Sequence, residues 1–180
     1  MAKLQKVALT FIGLMLVVLL GIVFDGEIPE IHDERDILGT AEEEYFVKRV
    51  VDGDTIVVKR NGEEYRVRMI GIDTPETVHP SKPVECFGFE ATEKLKSLIE
   101  EKNVTLKPDK TQDDIDRYGR LLRYVYFDDK DINLLMIKEG YAFEYTYMIP
   151  YIKQEEYIAA QRSARENDVG LWNPLVCDYN

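Results

Sequence analysis

The stretch VVDGDTIVVKRNGEEYRVRMIGIDTPE, residues 50 to 76, contains two strand-like segments joined by the dipeptide Asn61-Gly62. Alternation of apolar and polar residues predicts strands over 54–60 and 64–72. Both turn residues accept the positive φ of a two-residue turn, so the stretch predicts a β-hairpin. Residues 45–51 alternate in the same way and predict a strand before it.

The predicted turn also sets the register of the hairpin, in which Thr55 lies opposite Arg68 and Asp54 lies one step beyond. Asp54, Arg68 and Asp73 then meet at one end of the hairpin. Simple alternation points Asp54 and Arg68 to opposite faces, and a one-residue bulge would bring them together. The sequence leaves that orientation open.

The rest of the domain continues with short strands and a few helices. Two further strands are predicted over 103–109 and 120–128, separated by a polar loop. Three helices are predicted over 88–102, 131–139 and 150–168. Five short strands with an interposed helix predict an α+β fold, a five-stranded Greek-key barrel of the oligonucleotide-binding type with three helices.

The N-terminal segment differs from the rest, because residues 7–24 carry no charge and follow Lys3 and Lys6. Eighteen such residues are just enough to span a bilayer and long for a signal peptide. Poor cleavage-site residues favour an uncleaved membrane anchor over 1–24, with a cytoplasmic N-terminus, above a cleaved signal. In both cases we expect an extracytoplasmic domain, anchored or secreted.

Residues 25–44 hold nine acids against Arg35 alone and predict a solvated linker. One folded domain is predicted over 45–173, with a C-terminal tail over 174–180. The net charge is −11 for the whole chain and −5 for residues 45–180. This charge argues against tight non-specific nucleic-acid binding, but a bound cation and a few arginines can reverse the local field.

Four acids lie at the two strand ends that the hairpin brings together: Asp52, Asp54, Asp73 and Glu76. Hard cations such as Ca²⁺ prefer several oxygen ligands of this kind. The alternative is structural, since Asp-Gly and Asp-Thr-Pro are also ordinary turn sequences. Their predicted convergence is what favours a metal site.

Arginine is suited to phosphate because its planar fork matches phosphate oxygens. The predicted register brings Arg68 near Asp54, and Arg120 follows the turn sequence DRYG at the start of a strand. Arg66 and Arg123 are instead expected to form surface ion pairs. Cys86 and Cys177 are too few for a structural zinc site, and either a disulfide or two free thiols fit them.

Six blocks occur in the order typical of one family: VVDGDTIVV, RVRMIGIDTPET, CFGFEA, DRYGRLLRYVY, INLLMIKEGYA and GLW. The chain therefore resembles the staphylococcal (micrococcal) nuclease or thermonuclease family over about residues 45–173. The resemblance implies a five-stranded barrel with three helices. It also implies Ca²⁺-dependent hydrolysis of DNA and RNA that leaves 3′-phosphates.

The same resemblance implies a role for each matching residue. Asp54 and Asp73 match calcium carboxylates, and Thr74 matches a ligand through its backbone carbonyl. Glu76 matches the acid that orients or deprotonates the attacking water. The phosphate would be clamped by Arg68 and Arg120.

Other matches are less direct. Asp52 matches a carboxylate that lies near the metal without binding it. Tyr145 and Tyr147 resemble substrate-contacting tyrosines, although a one-residue difference in spacing makes packing an alternative. Lys82 matches a lysine of a mobile loop, where Ser81 replaces a second basic residue.

Two functions follow from the sequence. The first is a monomeric Ca²⁺-dependent nuclease whose partners are DNA and RNA, and the membrane if residues 7–24 are retained. The alternative is a catalytically inactive nucleic-acid-binding barrel tethered to the membrane. All five functional side chains are present, which favours catalysis.

Overall fold

The hairpin around Asn61-Gly62 is the centre of the fold in the computed structural model, which describes residues 44–77 and 83–177. Strand β1 spans Glu44–Asp52, β2 spans Thr55–Arg60 and β3 spans Glu63–Met69. Thr55 pairs with Arg68 and Arg60 pairs with Glu63, which confirms the predicted register.

Two more strands close a barrel with these three. Strand β5 (Asn103–Lys107) pairs antiparallel with β1 and with β6 (Leu121–Phe127), and β6 pairs in parallel with β3. The predicted five-stranded barrel is confirmed. Three two-residue strands were not predicted: β4 (Ile72–Asp73), β7 (Lys130–Asp131) and β8 (Phe143–Glu144).

The predicted strand over 64–72 is wrong at its end, because the chain turns at Ile70 and Gly71 before β4 begins. Gly71 has φ of 77°, which L side chains rarely adopt, and an added Cβ would lie 2.6 Å from the ring of Tyr151. The turn redirects the chain so that β4 pairs with β8, with Asp73 opposite Phe143. Asp73 is therefore not a continuation of β3.

The three predicted helices are confirmed, with shorter bounds. Helix α1 spans Gly88–Ile99, α2 spans Ile132–Lys138 and α3 spans Gln154–Glu166. Asp131 caps α2 by accepting a hydrogen bond from the backbone N–H of Leu134. A 3₁₀ turn over Gly170–Trp172 follows α3.

The barrel interior is filled by aliphatic side chains of β1, β2 and β3, with α1 and α2 covering it. Asn133 of α2 is fully buried and accepts the backbone N–H of Val125 at 2.9 Å. Its amide donates to the carbonyl of Ile70 at 2.9 Å. This side chain therefore ties α2 to β6 and to the turn before β4.

Several sequence predictions lie outside the described residues: the N-terminal anchor or signal over 1–24, the linker up to residue 43, Lys82, and the last three residues of the tail. Glu44, the last predicted linker residue, is the first residue of β1. Within 44–77 and 83–177, no helix has the length and apolarity to cross a membrane.

Candidate active site

Asp54 lies in the turn between β1 and β2, one residue before β2 begins. It is only 6% exposed, accepts a hydrogen bond from the Thr55 hydroxyl at 2.8 Å, and pairs with Arg68 (Oδ2 to Nη2, 3.1 Å). The opposite-face orientation from simple alternation is therefore wrong. Alternation does not govern Asp54, because it belongs to the turn and not to extended backbone.

Arg68 is shared with a second carboxylate, that of Asp73 on β4. Its Nη2 lies 2.8 Å from Asp73 Oδ1, and its Nη1 donates to the carbonyls of Met69 and Ile72 at 3.0 and 2.7 Å. Burial, and next the charge of Asp54, raise the pKa of Asp73 to about 6, although Arg68 opposes the shift. Two carboxylates are thus held together by one guanidinium.

Thr74 completes the predicted set of metal ligands at this place. It is buried, and its backbone N–H and hydroxyl donate to Asp54 Oδ2 at 3.2 and 3.4 Å. The turn before β2 and the end of β4 are therefore joined directly. The three residues matched to metal ligands lie next to each other.

The donor chemistry of this cluster fits a hard cation. Asp54 and Asp73 present oxygens so close that a single nitrogen of Arg68 bridges them. Among the described residues, no three His, Cys, Asp or Glu side chains form a complete metal-binding group by themselves. Calcium readily completes such a set with backbone carbonyls and water.

Asp52 lies beside the cluster and makes structural hydrogen bonds. Its Oδ1 accepts from the Gly53 backbone at 2.8 Å and from the hydroxyls of Thr77 and Thr92 at 3.0 and 3.4 Å. Burial and then the charge of Asp54 raise its pKa to about 6. Asp52 therefore links the end of β1 to α1 and to the segment after β4.

Glu76 follows β4 and is held by an acid that the sequence analysis missed. Its backbone N–H donates to Glu85 Oε2 at 3.1 Å, and its carbonyl accepts from the Glu85 N–H at 2.9 Å. The helix packs closely here, since a Cβ at Gly88 would lie 2.9 Å from the carbonyl of Pro75. The charge of Glu76 contributes to the raised pKa of Asp52, after burial and Asp54.

Arg120 stands just before β6, apart from the carboxylate cluster. Its Nε and Nη2 each lie 2.7 Å from Asp116 Oδ2, and Asp116 Oδ1 accepts the backbone N–H groups of Tyr118 and Arg120 at 2.8 and 2.9 Å. The Tyr118 ring is 64% exposed and lies under the guanidinium, 5.4 Å from ring centre to Cζ. Asp116 and Tyr118 were also missed. An acid four residues before an arginine was the available signal for Asp116.

The remaining predicted site residues lie in different places. Tyr145 and Tyr147 are 44% and 57% exposed, and the Tyr145 N–H donates to the Gly71 carbonyl at 3.0 Å, beside the turn before β4. Both rings are therefore accessible to a ligand. Lys82 is outside the described residues, so its position relative to these rings stays a prediction.

The two arginines expected in surface ion pairs differ. Arg123 pairs with Asp114 at 2.7 Å. Arg66 is exposed and forms no ion pair within the described part of the chain, so that expectation was wrong for Arg66. Its position in the middle of β3, on the outer face of the barrel, leaves the guanidinium in solvent.

Cys86 and Cys177 form a disulfide with Cα atoms 5.9 Å apart. The bond joins the residue after Glu85 to the C-terminal segment. The neighbouring Phe87 packs against a small cluster that includes Trp172. The disulfide therefore attaches the end of the loop that carries Glu76 and Glu85 to the C-terminal segment.

Known proteins match the chain over the parts that build this site. The family model described as "Staphylococcal nuclease homologue" matches residues 66–174. A thermonuclease of Staphylococcus intermedius is 37% identical over 162 residues, 89% of this chain and 93% of the relative. A thermonuclease of Staphylococcus hyicus is 41% identical over 132 residues, 73% and 77% of the two chains. Endonuclease YncB of Bacillus subtilis is 37% identical over 128 residues, 69% and 59%. With the closed barrel and the matched residues in place, these similarities show that the chain belongs to the staphylococcal nuclease family.

Proposed function

We propose that this protein is a calcium-dependent nuclease that hydrolyses DNA and RNA and leaves 3′-phosphate products. The observation that carries the proposal is the meeting of Asp54, Asp73 and Arg68, in which Arg68 Nη2 lies 3.1 Å from Asp54 Oδ2 and 2.8 Å from Asp73 Oδ1. The nuclease names of the relatives support the same reaction class.

Each residue then has a part in phosphodiester hydrolysis. When bound, the cation would supply positive charge at the phosphoryl oxygens and a more acidic water. Glu76 accepts the proton of the water whose oxygen forms the new bond to phosphorus, and the bond to the 5′-oxygen breaks. Arg68 and Arg120 stabilise the negative charge that grows on the phosphoryl oxygens.

The exposed rings give this site a surface for bases. Tyr145 and Tyr147 are accessible on one side, and Tyr118 is accessible beside Arg120. Aromatic rings bind unstacked bases with little sequence preference. We therefore expect single-stranded DNA and RNA to be cleaved faster than duplexes, with Lys82 adding a contact to phosphate.

The test compares the full chain with Glu76→Gln on single-stranded DNA and RNA, with calcium and with excess chelator. We expect Glu76→Gln to lose roughly 10²- to 10⁴-fold in kcat, the range of general-base catalysis. The matched control is Glu90→Gln, an exposed acid of α1, which should cleave normally. Undiminished activity in chelator would contradict the calcium requirement. Binding without cleavage by the wild type would support the inactive, membrane-tethered binding module instead.

The proposal extends to location and assembly. We infer an extracytoplasmic monomer, held by residues 7–24 with a cytoplasmic N-terminus or secreted after their removal. The mass and N-terminal residue of the mature protein distinguish the two forms. A mature chain that still begins at Met1 but fractionates with cytoplasmic proteins would contradict both.

A further inference from the structure

The outer face of β1, β2 and β3 carries three cross-strand rows that lead away from the candidate active site. Strand pairing aligns the side chains of each row. The row at the site is Asp52, Thr55 and Arg68. The second row is Arg49, Val57 and Arg66. The third row is Phe46, Lys59 and Glu64. Along β2 and β3 the rows are about 6.8 Å apart, because every second residue of a regular strand faces the same way. In β1 the row residues are three apart, because the register shifts between Val47 and Arg49 and between Val50 and Asp52.

The second and third rows present cations to solvent. Arg49, Lys59 and Arg66 are exposed. Val57 lies between the two arginines and is only 3% exposed, although it is not part of the barrel core. Arg49 and Arg66 pair with Val57 from the two neighbouring strands. Long basic side chains in such positions can cover an apolar neighbour while their charged ends remain in water.

These cations are not neutralised by the abundant acids of the chain. Within residues 44–77 and 83–177, Arg49, Lys59 and Arg66 form no ion pair. The one acid of the third row, Glu64, pairs with Lys48. The hydrogen bond from Lys48 and the charges of Lys48, Lys59 and Arg49 hold the pKa of Glu64 below its usual range. The face is therefore locally positive on a domain with net negative charge.

An aromatic ring lies among these cations. Phe46 is 42% exposed and pairs across the strands with Lys59. Basic side chains that follow a backbone, together with a ring on which a base can stack, are the two features of single-strand binding surfaces. We call Phe46, Lys48, Arg49, Lys59 and Arg66 the basic sheet face.

We propose that the basic sheet face binds the phosphate backbone of a single-stranded nucleic acid on one side of the scissile bond. The proposal rests on the proposed nuclease function, which puts a phosphate at Arg68. Arg66 is two residues from Arg68 on the same face of β3, so a strand leaving Arg68 in this direction meets Arg66 and Arg49 next and Lys59 after them. Charge complementarity favours this path, because the face is locally positive on a domain whose residues 45–180 carry a net charge of −5.

The experiment uses the full chain with Arg49→Gln and Arg66→Gln combined. Glutamine keeps part of the stem that covers Val57 and removes the charge. KM and kcat are measured on a dinucleotide and on long poly(dT) over a range of salt concentrations. We expect KM for poly(dT) to rise roughly five- to tenfold at low salt, with kcat and all dinucleotide constants unchanged. The logarithmic salt dependence should become shallower by about 0.7 for each lost contact to a single strand.

Two matched variants separate local contact from other effects. Arg49→Lys with Arg66→Lys keeps both charges and should retain the wild-type KM for poly(dT). Lys138→Gln with Arg162→Gln removes the same charge from exposed positions of α2 and α3 and should also leave KM unchanged.

The outcomes distinguish this inference from the proposed function. If the wild type cleaves neither substrate, the nuclease proposal fails. If it cleaves both and the glutamine variant matches it, only the basic sheet face is refuted. An equal loss in the Lys138 and Arg162 variant, or on the dinucleotide, would also overturn the inference. The inference would also be overturned if the Arg49→Gln, Arg66→Gln variant lost binding to phosphatidylserine vesicles but kept the wild-type KM for poly(dT), because that result assigns the face to lipid.

Discussion

Arg68 and Arg120 are both held by carboxylates, but the two arrangements leave them in different states. Arg68 lies between Asp54 and Asp73, the residues matched to cation ligands, at 3.1 and 2.8 Å. Arg120 is held through Nε and Nη2 by Asp116, which has no part in the carboxylate cluster. Under the proposed function, a bound cation would compete with Arg68 for Asp54 and Asp73, whereas Arg120 would keep its partner Asp116.

This difference separates a residue that exchanges partners from one that is positioned in advance. Asp116 also accepts two backbone N–H groups of its own turn, so it is a fixed support. The Nη1 group of Arg120 has no hydrogen bond to any described residue and is available for a phosphate oxygen. Preorganised donors of this kind need no rearrangement during the reaction.

The largest expected effect comes from removing each arginine. Arg68→Gln and Arg120→Gln should each lower kcat by about 10²-fold or more, the scale for losing one transition-state donor. Their stabilities should differ. Without calcium, Arg68→Gln leaves two adjacent carboxylates uncompensated and should lower the free energy of unfolding by about 3 kcal/mol.

Urea unfolding with and without calcium measures this difference. Calcium should restore most of the stability of Arg68→Gln, because it replaces the lost positive charge. Arg120→Gln should lose about 1 kcal/mol with or without calcium, because its partner is not a ligand. An identical calcium response in both variants would remove the distinction between the two arginines.

A smaller effect is expected from the support of Arg120. Asp116→Asn keeps an oxygen for the backbone N–H groups but removes the charge opposite the guanidinium of Arg120. We expect kcat/KM to fall about tenfold, because a misplaced donor stabilises the transition state less. Calcium affinity should not change. Asp114→Asn is the matched control, since Asp114 lies in the same loop and pairs with Arg123. If both variants lose the same activity, Asp116 acts on the loop as a whole and not on Arg120.

The sequence was sufficient for the part of the site that depends on local rules. Asn61-Gly62 determined the register and therefore the approach of Asp54 to Arg68, because a two-residue turn allows few pairings. The final position of Asp73 depends on the turn at Ile70 and Gly71 as well. The orientation of Asp54 was not predictable from strand alternation, because Asp54 lies in a turn. The end of β3 was also missed. Gly71 lies in an apolar run that resembles a strand, and its positive φ and its close approach to Tyr151 become visible only in the folded structure.

Contacts between distant segments could not be predicted in this way. Glu85 is one acid among 34 in the chain, and nothing local to it indicates that it holds the backbone of Glu76. The pairing of Cys86 with Cys177 depends on how the C-terminal segment folds back after α3, across 91 residues of sequence. Such contacts follow from the packing of the whole domain and not from spacing.

The two arginine regions should also differ in their response to pH. Burial and the charge of Asp54 raise the pKa of Asp73 to about 6, above its usual value of 3.8. Burial alone would raise the pKa of Asp116 as well, but hydrogen bonds from Arg120 hold it below its usual range. Asp73 beside Arg68 therefore takes up a proton near pH 6, while the carboxylate of Asp116 remains ionised.

Calcium affinity should accordingly be about tenfold lower at pH 5 than at pH 7, because protons compete with the cation for Asp73. The calcium-free protein should lose stability as pH rises from about 4 to 6, since the folded state binds more protons than the unfolded state in that window. Calorimetric titration of calcium and urea unfolding at each pH measure both trends. Asp52→Asn should make the stability trend shallower, because burial and then Asp54 raise the pKa of Asp52 to about 6 as well. A flat calcium affinity between pH 5 and 7 would contradict this account.

The smallest effect is expected at Glu85, which is on the same side of the site as Arg68. Its carboxylate accepts the backbone N–H of Glu76 at 3.1 Å, and its own N–H bond to Glu76 remains in any variant. Losing one hydrogen bond of this kind costs about 1 kcal/mol, so Glu85→Ala should lower kcat about fivefold at unchanged KM. Glu85→Gln keeps an acceptor oxygen and should recover most of the rate, and Glu90→Ala should have no effect. If Glu85→Ala instead lowers the free energy of unfolding and leaves kcat intact, the contact stabilises the loop and does not position Glu76. Of the two catalytic side chains compared, only Arg120 would then be positioned by a carboxylate outside the metal cluster.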